Sequence, residues 1–187
     1  AETWPPQAVE DISLHLADGG MLVLGEADEA GEANPDDLQM DEYEAVFDVG
    51  SGELNRWRTQ LGRSDVVYND RAKQDGQLLV YDSVPLDKSL LLLGYPRFEL
   101  SLSSTHADGA LFFYLEEVAP DGTVRYLSEG MHRLVHGPAG QELKPDYSQA
   151  NGVAPGQEEI LHLAIDLLPV AVEIQAGHSI RLAVACA

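Results

Sequence analysis

An antiparallel, all-β sandwich of jelly-roll character is the fold class this sequence predicts, and three observations predict it. Apolar and polar residues alternate with a period of two in many short runs, Gly, Pro and Asp clusters separate those runs, and helical periodicity is scarce. Alternation points to strands because successive side chains of a strand leave opposite faces of the sheet. Taken in chain order, the candidate strands are Ile12 to Leu16, Met21 to Leu24, Gln77 to Tyr81, Phe98 to Ser103, Leu111 to Val118, Thr123 to Leu127, Met131 to His136, Leu161 to Leu167 and Ile180 to Cys186. In the clearest of them Leu100, Leu102, Phe113, Leu115, Leu163, Ile165, Leu182 and Val184 all fall on one face, which is expected to be the core face. The best helical stretch, Leu54 to Leu61, is too short to anchor a bundle. Two long connections, Gly25 to Glu44 and Gly137 to Gly156, read as loops that serve function or an interface.

The chain has 187 residues, 44% of them hydrophobic, which suits a single domain spanning residues 1–187. Within it, residues 1–60 read as an acidic, loop-rich part and residues 77–187 as the core. One cysteine, Cys186, excludes an internal disulfide, so burial and hydrogen bonding must hold the fold. The longest greasy stretch, Leu161 to Ile174, is interrupted by Asp166, Pro169 and Glu173 and is too short to span a bilayer. The chain therefore reads as soluble, in a compartment left open between cytoplasm and export. It begins at Ala1 without a leader-like segment, which suits either a processed protein or a piece of a longer polypeptide.

Formal charge is −21, unevenly spread: residues 1–55 hold fifteen acids and no Lys or Arg. Such a surface repels phosphate backbones and anionic lipid, so nucleic acid and membranes are not expected partners. The acids Glu26, Asp28, Glu29, Glu32, Asp36, Asp37, Asp41, Glu42 and Glu44 lack the ligand spacing of a calcium loop and read as a solvated charge run. His132 and His136 are four apart but fall in an apparent strand, where that spacing separates them by roughly 13 Å, too far to share an ion. No metal or cofactor is implied.

An α/β-hydrolase nucleophile needs Gly-x-Ser-x-Gly on a sharp strand-to-helix turn, because only glycines let the backbone close that tightly around an exposed hydroxyl. The nearest match, Gly50-Ser51-Gly52, lacks the spacing, and alternating β-α units are missing as well. No catalytic residue is expected here. Trp4, Trp57, Tyr43, Tyr68 and Tyr81 could instead form a sugar-stacking platform, which makes a free-standing carbohydrate-binding module the rival reading.

From Ser83 onward the chain carries an ordered set of motifs. Ser83-Val84-Pro85-Leu86 and the strand Arg97 to Ser103 precede Phe113-Tyr114-Leu115-Glu116-Glu117-Val118-Ala119-Pro120-Asp121-Gly122; Leu127-Ser128-Glu129-Gly130 with Arg133, Asp166-Leu167-Leu168-Pro169 and Ala176-Gly177-His178-Ser179-Ile180-Arg181-Leu182 follow. In this order they resemble the C-terminal β-sandwich domain of the X-Pro dipeptidyl peptidase and cocaine esterase-like serine hydrolases. The resemblance implies a jelly roll like that of galactose-binding domains, in a non-catalytic domain that packs on the α/β-hydrolase domain of the same polypeptide and helps shape its active-site entrance. It also implies that the parent's catalytic residues lie upstream of Ala1. His178, Arg181, His106 and Asp108 become candidates for contact between the domains, although the segment Ser104 to Gly109 departs from the acidic, Thr-rich stretch of relatives. Relatives also continue past the last motif, so the strand Ile180 to Cys186 is expected to be an exposed edge through which copies of the chain self-associate.

Overall fold

The computed structural model describes residues 9–25, 40–47, 49, 69–136 and 160–187. Its first elements are β1 (Ser13–Ala17) and β2 (Met21–Gly25), a hairpin closed by Asp18, Gly19 and Gly20. Both turn glycines have positive φ, 71° and 73°, which residues with a side chain rarely adopt. A short helix α1 (Ala72–Asp75) leads into β3 (Leu79–Ser83), and β4 (Leu90–Gly94), β5 (Arg97–Leu102), β6 (Ala110–Val118) and β7 (Val124–Arg133) follow. A single 3-10 turn spans Leu134–His136, after which come β8 (Leu161–Asp166), β9 (Val170–Ile174) and β10 (Ser179–Cys186).

The strands form a six-stranded sheet in the order β1-β2-β3-β10-β6-β7 and two pairs, β4-β9 and β5-β8. All pairings are antiparallel except β2 with β3, which run parallel for two residues, Met21 opposite Asp82 and Leu22 opposite Ser83. The two pairs cover one face of the large sheet: Leu163, Ile165 and Ile174 share a core with Phe113, Ile180, Leu182 and Val184, and the Phe98 ring stands 4.9 Å from that of Phe113. The sequence expectation of an all-β sandwich is met. Phe113, Leu163, Ile165, Leu182 and Val184 are buried in this core, and Leu100, Leu102 and Leu115 are partly buried against it. The opposite face of the large sheet is also covered, with Leu78, Tyr114, Tyr126, Ala183 and Ala185 forming a second cluster against Tyr43 and Val49.

Several expectations change. The strand Ile180 to Cys186 is not an edge: β10 is hydrogen-bonded to β3 on one side and β6 on the other, and the edges of the large sheet are β1 and β7. Thr123 to Leu127 and Met131 to His136 belong to one strand, β7, whose polar Ser128 and Glu129 concealed its continuity; it stops at Arg133, and His136 lies in the 3-10 turn. The separation argued for His132 and His136 on a common strand therefore does not apply. The alternation test missed β4 and β9. Leu90 to Leu93 is uniformly apolar, and the alternation of Val170, Val172 and Ile174 with Ala171 and Glu173 was hidden inside the greasy run Leu161 to Ile174 because Ala171 is apolar as well. The helix expected at Leu54 to Leu61, most of the two long connections and the acids Glu26 to Asp37 lie outside the described residues.

Candidate functional site

Two consecutive glutamates at the end of β6 organise the polar chemistry of the domain. Alternation sends Glu116 and Glu117 to opposite faces of the sheet, yet both are buried, 0% and 3% exposed, because both faces are covered. Buried carboxylates need partners, and each has its own set.

Glu117 holds the end of the sandwich together. Its Oε1 lies 2.8 Å from His178 Nδ1 and accepts from the Gln175 amide at 3.3 Å, while its Oε2 accepts from Arg125 Nε at 2.6 Å. The turn carrying His178 is also tied to the Ser83 segment: the Leu86 amide donates to His178 O, the Gly177 amide to Leu86 O, both at 2.8 Å, and the Ile180 amide to Ser83 Oγ at 2.9 Å. The adjacent turn closes as its Pro-Asp-Gly sequence predicts, with Gly122 at φ 86° and Asp121 Oδ1 accepting from the Thr123 amide at 3.0 Å. That backbone donor holds the Asp121 carboxyl below its usual range.

Glu116 faces the other way, into a charge network under α1. Arg71 Nε donates to Glu116 Oε1, its NH2 lies 3.4 Å from Asp75 Oδ1, and its guanidinium sits 4.1 Å above the Tyr114 ring. Arg181, opposite Glu116 in register, grips Asp82 with two bonds of 2.6 and 2.7 Å and reaches Asp75 at 3.4 Å. Glu116, Asp75 and Asp82 thus face Arg71 and Arg181, with buried Glu129 opposite Tyr114 in the same cluster. Burial, then the Asp75 charge, push the Glu116 carboxyl up to about 8, which favours its neutral form. Arg181, a candidate for contact between domains, is thus held within this one by two acids. Arg71, Asp75 and Glu116 were missed, since nothing local marks a charged residue as buried.

His106 and Asp108 occupy the far end. Asp108 is bonded to Arg133, with Nε 3.0 and 3.1 Å from its two oxygens, and His106 Nδ1 lies 3.0 Å from Thr105 Oγ1. Asp108 precedes β6, and from Ala110 to Glu117 that strand runs about 23 Å at the usual rise, so the four candidate contact residues divide between opposite ends of the sheet rather than forming one patch. Between them, the remaining motifs meet as well: Ser128 Oγ donates to Leu168 O at 2.5 Å, the Leu168 amide to Glu129 O at 2.9 Å, and Gly130 lies directly under Ile165, Asp166 and Leu167.

One serine-histidine pair deserves a chemical test. Ser101 Oγ lies 2.7 Å from His162 Nδ1, but both are exposed and directly opposite on β5 and β8. A nucleophile needs its base oriented by a third group beneath an oxyanion site, and no such group is seen around this pair among the described residues. Of the sugar-stacking set, Tyr81 is a core residue, 5% exposed and bonded to Asp41 at 2.6 Å, and Tyr43 packs against the second cluster, whereas Trp4, Trp57 and Tyr68 lie outside the described residues. No group of three or more metal-binding side chains occurs among the described residues, and no helix there is long and apolar enough to cross a membrane.

Comparison with known proteins agrees with this arrangement. A family model described as "X-Pro dipeptidyl-peptidase C-terminal non-catalytic domain" matches residues 1–187. Proteins of Mycobacterium bovis and Mycobacterium tuberculosis, each named "Putative serine esterase", are 39% identical over 196 residues covering 99% of the chain. The chain spans about 30% of the length of these relatives. Among solved structures, an alpha-amino acid ester hydrolase superposes with a TM-score of 0.66 over 93% of this chain and 28% of its own, at 19% identity. An aminopeptidase from a marine sediment Thaumarchaeota archaeon gives 0.64 over 100% of this chain and 30% of its own, at 18% identity, and a CocE/NonD family hydrolase from Staphylococcus aureus 0.51 over 64% and 24%, at 19%. At such identities the structures share the fold.

Proposed function

The chain belongs to the family of X-Pro dipeptidyl-peptidase C-terminal non-catalytic domains, and from that premise we propose that residues 1–187 form a single accessory domain of a larger serine hydrolase of acyl esterase or X-Pro dipeptidyl-peptidase type. It packs on the catalytic α/β-hydrolase part of the same polypeptide and shapes one side of the active-site entrance. One observation carries this reading: the side chains of the motifs are spent on joining strands, as in Glu117 with His178, Ser83 with Ile180 and Ser128 with Leu168, and not on arming a nucleophile. His178 at one end, and His106 and Asp108 at the other, are proposed to touch the catalytic part. Arg181 contributes indirectly, by holding Asp82 in place.

The test compares the longer hydrolase with a version lacking residues 1–187. Deletion is expected to lower thermal stability and to raise KM for bulky acyl substrates more than it lowers kcat, because the serine chemistry resides elsewhere while the entrance loses a wall. A deletion that leaves stability, KM and kcat unchanged would remove the proposal.

A further inference from the structure

We propose that the end of the large sheet where β3 and β6 finish seats the hydrolase part of the longer polypeptide, through exposed apolar side chains that crown this end on both faces of the sheet, Val23 and Val84 on one and Ile12 and Leu24 on the other, with Val9 beside them in sequence. This rests on the accessory-domain reading above and names the surface it leaves open. The topology gathers these side chains. β2 runs parallel to β3 but pairs with it only at Met21 and Leu22, so Val23 and Leu24 pass beyond the end of β3, and the same register continued by one residue sets Val23 beside Val84. Ser13 stands opposite Gly25, which brings the approach to β1, with Val9 and Ile12, to the same end.

These five side chains are 44 to 59% exposed. An apolar group of this kind at one end of a soluble domain marks an interaction surface. Chain length identifies what covers it: about 70% of each mycobacterial relative lies outside the matched region, since the chain covers 30% of them. Charge narrows the choice further. Glu10, Asp11, Asp87 and Asp121 are exposed around this end together with Lys88, and Arg125 there is bonded to Glu117. A second copy of the chain would bring like charges together, whereas a surface bordered by Lys and Arg would be complementary. The proposed occupant is therefore an apolar patch with a basic rim on the hydrolase part.

The experiment places Val23→Glu with Val84→Glu in the longer hydrolase and compares it with Met131→Glu, an exposed apolar residue on the β7 edge. Cleavage by a nonspecific protease between the two parts should become at least ten-fold faster in the double variant, and its single unfolding transition should split in two; Met131→Glu should change neither. The 187-residue chain carrying the same pair should keep its near-UV circular dichroism and unfolding midpoint. Should it lose them, Val23→Ser with Val84→Ser serves as the milder pair. A double variant indistinguishable from Met131→Glu overturns this face; the accessory-domain reading survives if deletion of residues 1–187 still impairs the enzyme, and falls if it does not. Dimers of the 187-residue chain that the substitutions dissolve, with the longer enzyme unaffected, would assign the face to a second copy and overturn the proposal.

Discussion

Glu116 and Glu117 differ by one position and by the physics of their two faces. Glu117 meets solvent-facing partners at the end of the sheet, and Glu116 meets a sealed network of Arg71, Asp75 and Arg181 beside Tyr114 and Tyr126. Burial raises the Glu116 carboxyl from an ordinary 4.5 to about 8. A proton held more tightly by the folded state stabilises it fully below the ordinary value, and that contribution is lost as pH rises through about 8. The urea midpoint of the chain should therefore fall between pH 6 and pH 8.5, and Glu116→Gln, neutral throughout, should flatten the fall. Stopping at pH 8.5 excludes Cys186, whose thiol burial pushes upward from 9.0. An unchanged slope in the variant would show that the carboxyl is not its source. At Leu163, 2% exposed in the core, Leu163→Asp buries an unpaired charge and should cost at least about 3 kcal/mol by urea unfolding. A loss below about 1 kcal/mol would place Leu163 outside the core.

The strands that alternation found, β5, β6, β8 and β10, each have a buried and a less buried set of positions over most of their length; β9 has them too, with Val170, Val172 and Ile174 inward and Ala171 and Glu173 exposed, whereas β4 does not. β4 is four leucines and a glycine, and its identity as a strand comes from pairing with β9. β7 was broken in two because Ser128, Glu129 and Gly130 look like a turn; tertiary structure makes them strand, with Ser128 bonded to Leu168 and Gly130 under β8. A Cβ at Gly130 would stand 3.2 Å from Ile165 Cγ2 and 3.3 Å from the Asp166 carbonyl oxygen. Gly130→Val should accordingly cost about 2 to 3 kcal/mol through overpacking. Gly122, at φ 86° but in open space, should lose only about 1 kcal/mol on change to Ala. Equal losses in thermal or urea melts would contradict this division between crowding and backbone strain.

For the molecule as a whole, membership of a family of non-catalytic domains predicts that the purified chain neither turns over p-nitrophenyl esters or an X-Pro nitroanilide nor takes up a fluorophosphonate; stoichiometric labelling of one serine would refute it. The sequence by itself determined the all-β class, the eight inward positions named at the outset and the family, because a period of two and the order of turn motifs are local properties that survive without coordinates. Tertiary structure alone decided that β10 is central rather than an edge, since strand neighbours are set by which apolar faces find each other across the chain. It also decided that His178 and Asp108 lie at opposite ends of β6, and that Glu116 is buried beneath α1 while Glu117 ties down the His178 turn. A charged residue carries no mark of its burial in its own neighbourhood; only the second layer of the sandwich and the segment covering its other face supply that.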